Sequence, residues 1–128
     1  VDIYLNSFIN LYLVWNRGIG FGLFSFDQEN LYNLITIFLI VINLIIIYLV
    51  FIEKGSKTYF LILILGGSLG NLFDRLYYRA VPDFIDLNFN GYHWFIFNVA
   101  DIFITIGILC LILAEIINYK KVPNDKSN

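Results

Sequence analysis

Apolar residues in this chain gather into long runs, and the polar residues fall between the runs or in tight clusters at their ends. The first run goes from Leu31 to Ile52, stops at Glu53, and holds Asn33 and Asn43 as its only strongly polar side chains. The second starts near Thr58 and continues through a stretch of small and polar residues to Arg75. The third runs from about Trp94 to Ile117, interrupted by Asn98 and Asp101. A helix needs about 20 apolar residues to cross a bilayer, so the pattern predicts transmembrane helices over 31–52, 58–75 and 94–117. Phe21–Phe26 is apolar but too short and too glycine-punctuated to be a fourth. No internal repeat or low-complexity linker divides the chain, and residues 1–128 read as one membrane domain.

Composition agrees with lipid as the solvent. Of the 128 residues, 59% are apolar and only 14% charged, where a soluble domain carries about a quarter charged residues. A net charge of −2 with no basic run interleaved with aromatics excludes a nucleic-acid partner. The lone cysteine, Cys110, cannot form an intrachain disulfide and reads as core packing. His93 is the only histidine, so a zinc ligand set is lacking, and no metal or other cofactor is expected. His93 itself, between Tyr92 and Trp94, reads as an interfacial side chain.

The lysines set an orientation. Lys54 and Lys57 lie between the first two runs, and Lys120, Lys121 and Lys126 follow the third. Three crossings put both groups on one side, which the positive-inside rule makes cytoplasmic, with 118–128 as a cytoplasmic tail. Arg17, Arg75 and Arg79 then lie on the outer side, where a task explains them better than topology does. Residues 1–30 are also outside. With no initiator Met, this predicts a preceding transmembrane helix and a four-span protein with both ends cytoplasmic.

An acid within a span is costly enough to count as a functional candidate. Asp101 is the clearest case. Read as one helix from Trp94, the third run places Asp101 roughly 10 Å below that aromatic anchor and puts Trp94, Asn98, Asp101 and Thr105 on one face. A buried structural acid tied to Asn98 or an arginine is the plain alternative. In the second run, Gly66 and Gly70 form a small-xxx-small face for close helix approach. Asp74 beside Arg75 reads as a local ion pair at the membrane edge, although the planar fork of Arg75 suits a substrate carbonyl or phosphate as well. The segment Val81–Asp86 reads as a rigid outer loop in which Pro82 fixes the backbone. Asp83 is there held among apolar residues, or else caps a turn, and Asp86 is a solvated or capping acid.

Together these residues resemble a known family. Gly66-Gly67-Ser68-Leu69-Gly70-Asn71-Leu72-Phe73-Asp74-Arg75 is similar to the GGxxGNxxDR signature of bacterial lipoprotein signal peptidase, or signal peptidase II. Val81-Pro82-Asp83-Phe84 resembles its VxDF element, Phe97-Asn98-Val99-Ala100-Asp101 its FNxAD element, and Asn16-Arg17-Gly18-Ile19-Gly20-Phe21 its NxGxxF element. Four motifs in order across about 90 residues make a specific match. The resemblance implies an α-helical integral membrane protein, with three transmembrane helices present of a four-helix fold and a small outer β-rich cradle to which Val1–Phe26 contributes. Leu5–Leu11 fits extended structure within that cradle. The resemblance also implies that the expected preceding helix is the family's first, which carries an Asp and a Lys near its outer end.

The same resemblance implies catalytic acids at Asp83 and Asp101. Asn16, Asn71, Arg75 and Asn98 fall at positions that support the dyad or hold substrate, and Asp74, Gly18 and Gly70 at structural ones. It further implies an aspartic endopeptidase of the bacterial inner membrane, acting as a monomer among membrane lipids with its site at the outer face. Its substrates are diacylglyceryl-modified prolipoproteins, cleaved before the lipidated Cys. Two carboxylates sharing a proton supply both the acid and the base that hydrolysis needs. The rival class is a small proton-coupled transporter or channel subunit using Asp101, for which Asp83 in an outer loop has little use.

Overall fold

The computed structural model describes residues 2–17 and 28–121. Two strands, β1 (Ile3–Tyr4) and β2 (Ile9–Asn16), precede helices α1 (Gln28–Ile52) and α2 (Ser56–Tyr78). Strands β3 (Val81–Phe89) and β4 (Tyr92–Phe97) follow, and α3 (Val99–Lys121) closes the order. All three helices are long and apolar enough to cross a membrane. The helices leave their apolar side chains largely bare: Leu34, Phe38, Leu44, Leu109 and Leu113 are all more than half exposed. That is the surface expected where hydrocarbon replaces water.

Two expected boundaries shift only slightly, but the third helix begins five residues later than expected, at Val99 rather than near Trp94. Residues 92–97 pair with β3 instead. The reason is a hairpin: Asn90 and Gly91 both take positive φ (50° and 80°) between Phe89 and its partner Tyr92, which is the backbone of a two-residue turn whose twist suits adjoining strands. Trp94 is therefore a strand residue and shares no helical face with Asp101. At the other end α3 runs on through Lys120 and Lys121, so the tail expected from residue 118 is helical to 121.

The sheet has the order β1-β2-β3-β4 and every pairing is antiparallel. The expected loop at 81–86 is thus an interior strand. Pro82 is tolerated there because it faces Trp15 of β2, while the pairing with β4 begins only at Ile85. Asn6 shapes the first turn, its side-chain oxygen accepting from the amides of Phe8 (2.8 Å) and Ile9 (2.8 Å). The cradle is thus built from both ends of the described outer sequence, not from residues 1–30 alone. Trp15 also leans on Tyr78 at the end of α2, with ring centroids 5.5 Å apart.

Helix α2 packs against both α3 and α1. The expected Gly66/Gly70 face is not the closest contact. A Cβ on Gly67 would lie 2.5 Å from the carbonyl oxygen of Ala100 and 2.7 Å from Ile104. A Cβ on Gly107 would lie 2.6 Å from Ile64 and 2.9 Å from the carbonyl oxygen of Phe60. Gly66 meets nothing within 4 Å, and Gly70 only the Ala100 Cβ at 4.0 Å. Each helix lends one notch to the other, and lipid offers no alternative that would reward opening them. Lys57 near the start of α2 is ion-paired with Glu115 near the end of α3, which puts both lysine groups at one end of the bundle.

Arg75 joins α2 to α1. Its side chain is buried, Nε donates to Thr36 Oγ1 (2.8 Å) and a terminal nitrogen donates to the Tyr32 carbonyl (3.2 Å). The guanidinium also sits 4.4 Å from the Tyr32 ring centroid, and the Tyr32 hydroxyl donates back to the Arg75 carbonyl at 2.6 Å. The expected Asp74–Arg75 ion pair does not form among the described residues, because consecutive helix positions point in different directions.

Gly67→Ala is expected to destabilise the protein by roughly 1–3 kcal/mol through overpacking, whereas Gly66→Ala is expected to be neutral or slightly stabilising; thermal unfolding in micelles separates the two. Thr36→Val leaves the buried Arg75 donor without its acceptor and is expected to cost about 1–3 kcal/mol in the same assay.

Candidate active site

The polar residues of the motifs converge where the sheet meets the first turn of α3. Asn98 is the residue between β4 and α3, and its side chain and backbone cap the helix in a reciprocal pair. The Asp101 amide donates to Asn98 Oδ1 (3.1 Å), and the Asn98 amide donates to Asp101 Oδ2 (3.1 Å). This capping box satisfies helix-end amides that would otherwise be unpaired. It also holds the Asp101 carboxylate at the positive end of the helix dipole.

The Asn98 amide nitrogen reaches the other way. Nδ2 donates to Asp83 Oδ1 (2.8 Å) and to Asn71 Oδ1 (3.0 Å). Asn71, on α2, donates its own Nδ2 to Asp101 Oδ1 at 3.0 Å. Asn16, the last residue of β2, donates to the second oxygen of Asp83 at 3.1 Å. Asp83 and Asp101 are therefore linked through two asparagines. Both acids and all three asparagines singled out in the sequence are in one network.

The two acids differ in setting. Asp83 is 5% exposed on the interior strand, and Asp101 is half-buried. Burial pushes the Asp83 carboxyl above the ordinary carboxylate range; the amides of Asn16 and Asn98 pull it partly back, and the charge of Asp101 raises it again. A proton is thus favoured on Asp83 at a pH where a solvated carboxyl has lost it.

Arg75 stands apart from this network in its bonding, its donors committed to Tyr32 and Thr36 of α1. Asp74 has no hydrogen bond or ion pair to a described residue and is half-buried. Gly18 lies outside the described residues, as does Phe21–Phe26. Asp86, expected to be a solvated or capping acid, is instead 1% exposed, with Oδ2 2.6 Å from His93 Nδ1. Among the described residues no cluster of three metal-ligating side chains exists. An open apolar groove of about 450 Å³ lies alongside, between α2 and α3, lined by Ile62, Gly66, Gly67, Val99 and Phe103 among others.

Sequence reasoning missed Gly107, Thr36 and the Asp86–His93 contact. The Asn90-Gly91 turn was the available signal for the hairpin that brings Asp86 and His93 together.

Comparisons with known proteins fit this geometry. The sequence model for signal peptidase (SPase) II matches residues 1–117. The lipoprotein signal peptidase of Pelagibacter ubique (strain HTCC1062) is 54% identical over 127 residues, covering 99% of this chain and 76% of that protein. That of Anaplasma marginale (strain Florida) is 36% identical over 123 residues, 94% of this chain and 71% of that one. A bacterial membrane enzyme solved by the in meso method at 2.3 Å resolution superposes with a TM-score of 0.74 at 30% identity, over 100% of this chain and 76% of the other. A second, at 1.9 Å, gives 0.70 at 32% identity over 89% and 74%. The match to the family over nearly the whole chain, and the fold shared with bacterial membrane enzymes, place this chain in the signal peptidase II family.

Proposed function

We propose that this chain is an intramembrane aspartic endopeptidase that removes the signal peptide from diacylglyceryl-modified prolipoproteins, cutting before the lipidated Cys. The site faces outward from the bacterial inner membrane, and the lysine-bearing helix ends face the cytoplasm. The observation that carries this reading is the asparagine bridge between Asp83 and Asp101. Family membership argues for a peptidase over a proton-coupled transporter. So does the place of Asp101, which sits in the first turn of α3 and is bridged through asparagines to Asp83 of the sheet.

In this mechanism Asp101 accepts a proton from water as the water oxygen attacks the scissile carbonyl carbon. Asp83 gives its proton to the carbonyl oxygen, producing a neutral tetrahedral diol. The carbon–nitrogen bond then breaks as the amine takes the proton held by Asp101 and a diol hydroxyl returns one to Asp83. Asn98 and Asn71 hold both carboxyl groups in one hydrogen-bonded network, joined through amides. The apolar groove beside Asp101 gives hydrocarbon chains a place next to the site without entering water. Arg75 supports the site by holding α2, which carries Asn71, to α1. Gly70 and Asp74 serve α2 structurally.

Asp83→Asn and Asp101→Asn are each expected to lower cleavage of a diacylglyceryl-modified prolipoprotein by at least about 100-fold, with folding preserved and Asp74→Asn retaining substantial activity. Cleavage that survives both changes would sink the assignment. Loss in Asp74→Asn but not in Asp83→Asn would redraw the pair around Asp74.

A pH dependence follows from the raised Asp83 pKa. The proton that Asp83 must donate is lost as pH climbs through its folded value, so kcat is expected to fall on that limb. Stability has a matching sign. A carboxyl with a raised folded pKa contributes its full stability below the unfolded value of about 3.9, and that contribution is lost as pH rises toward the folded value. The stability of Asp83→Asn relative to the parent is therefore expected to rise as pH climbs above about 4, because only the parent carries the titrating carboxyl; paired unfolding curves at several pH values measure it.

A further inference from the structure

A second polar centre lies on the face of the sheet opposite Asp83. Strand β3 is regular, so Asp86, three residues along, points away from Asp83. Its carboxylate is 1% exposed, and His93 Nδ1, 2.6 Å from Oδ2, is its hydrogen-bond partner. The other oxygen, Oδ1, has none. Asn10, directly across on β2, and Asn88, two residues along β3, present unpaired amide atoms beside it. His93 is thus the one cation-capable group among these neighbours. Removing it leaves a buried carboxylate without any partner, the costly arrangement.

The contact straddles an irregularity in the ladder. From Phe97 back to Phe95, β4 pairs with Ile85 to Leu87 in one register, but Asn88 faces His93. Trp94 is the extra residue, a bulge in β4. Only with that bulge in place does Phe97 sit opposite Ile85, and Asn98 follow it directly out of the sheet. A slip of one residue moves every later side chain about 3.3 Å and turns it to the opposite face. Asn98 would then no longer lie between Asp83 and Asp101.

We propose that Asp86 and His93 are a positioning pair for the reaction: their hydrogen bond locks the Trp94 bulge, and the bulge places Asn98 between the two acids. This rests on the carboxylate-pair reading of the site. Neither residue touches the reacting atoms. Both act through Asn98, whose amide is also one of the two that pull Asp83 back toward an ordinary pKa.

The test compares His93→Ala, His93→Asn and His93→Gln by kcat, KM and pH profile on a diacylglyceryl-modified prolipoprotein. Rates are expressed per folded molecule from size exclusion and near-UV dichroism. His93 is more than half exposed, so its truncation opens no core cavity. His93→Ala is expected to lower kcat about tenfold or more, since displacements near 1 Å have effects of that order, with KM within about twofold. Its kcat limb set by Asp83 is expected to move to higher pH. His93→Asn places an amide donor where Nδ1 stood and is expected to restore both rate and profile, while His93→Gln, with its donor one atom farther out, is not. Unchanged kcat and profile in His93→Ala overturn the proposal, as does a fall in folded yield alone or a failure of His93→Asn to restore the rate. Cleavage retained by Asp83→Asn and Asp101→Asn overturns the carboxylate-pair reading instead, so the two failures are distinct.

Discussion

One asparagine amide ties this structure together. Asn98 ends the sheet, caps α3, and places its Nδ2 between Asp83 and Asn71. The constraint behind it is electrostatic: two acids held near one another repel. Neutral amides between them resolve this, since each can accept from one side and donate to the other. Because the same residue is the helix cap, moving the sheet, the helix or either acid disturbs all of them. The helix end offers the Asp101 carboxylate a backbone amide, while the interior strand withholds water from Asp83, so one constellation sets the two carboxyls in unlike surroundings.

The bundle below is organised by the same scarcity of water. Between helices in lipid, apolar contact alone offers little preference for one partner over hydrocarbon. What specifies the packing is therefore small or polar: Gly67 against the Ala100 carbonyl, Gly107 against Phe60 and Ile64, and Arg75 buried against Tyr32 and Thr36. These contacts fix the height of α2 relative to α3 and so of Asn71 relative to Asp101. The ion pair of Lys57 with Glu115 does the same at the far end.

The sheet contributes the other coordinate. Its regular member is β3, and both β2 and β4 bulge against it. Asp83 and Asp86 thus project to opposite faces from one straight strand, the first toward the amide network and the second toward His93. A strand with a buried acid on each face is costly to build in a sheet this small; Asn16 of β2 donates to the first acid, and Asn10 lies across from the second.

Much of this was legible in the residues alone. Three apolar runs against a 30 Å hydrocarbon layer are enough to determine three helices, because no other backbone satisfies its own hydrogen bonds in lipid. The motif residues Asn16, Asn71, Asp83, Asn98 and Asp101 could be named from their order, and the structure gathers all five. What sequence could not determine was every feature set by pairing between distant segments. A helical period continued from Trp94 through Asn98 on paper, yet β3 claims residues 92–97 through a ladder that is invisible along the chain. Asp86 looked solvated because its cover comes from other strands. Gly66 and Gly67 are equivalent by type, and only the approach of α3 distinguishes the glycine that must stay small from the one that lines a groove. Arg75 stood beside Asp74 in sequence, but a helix turns neighbours 100° apart, and its true partners came from α1, some 40 residues away. Local composition determined the elements and the candidate residues; contact between elements decided which acid is buried, which helix end is capped and where asparagines bridge Asp83 and Asp101.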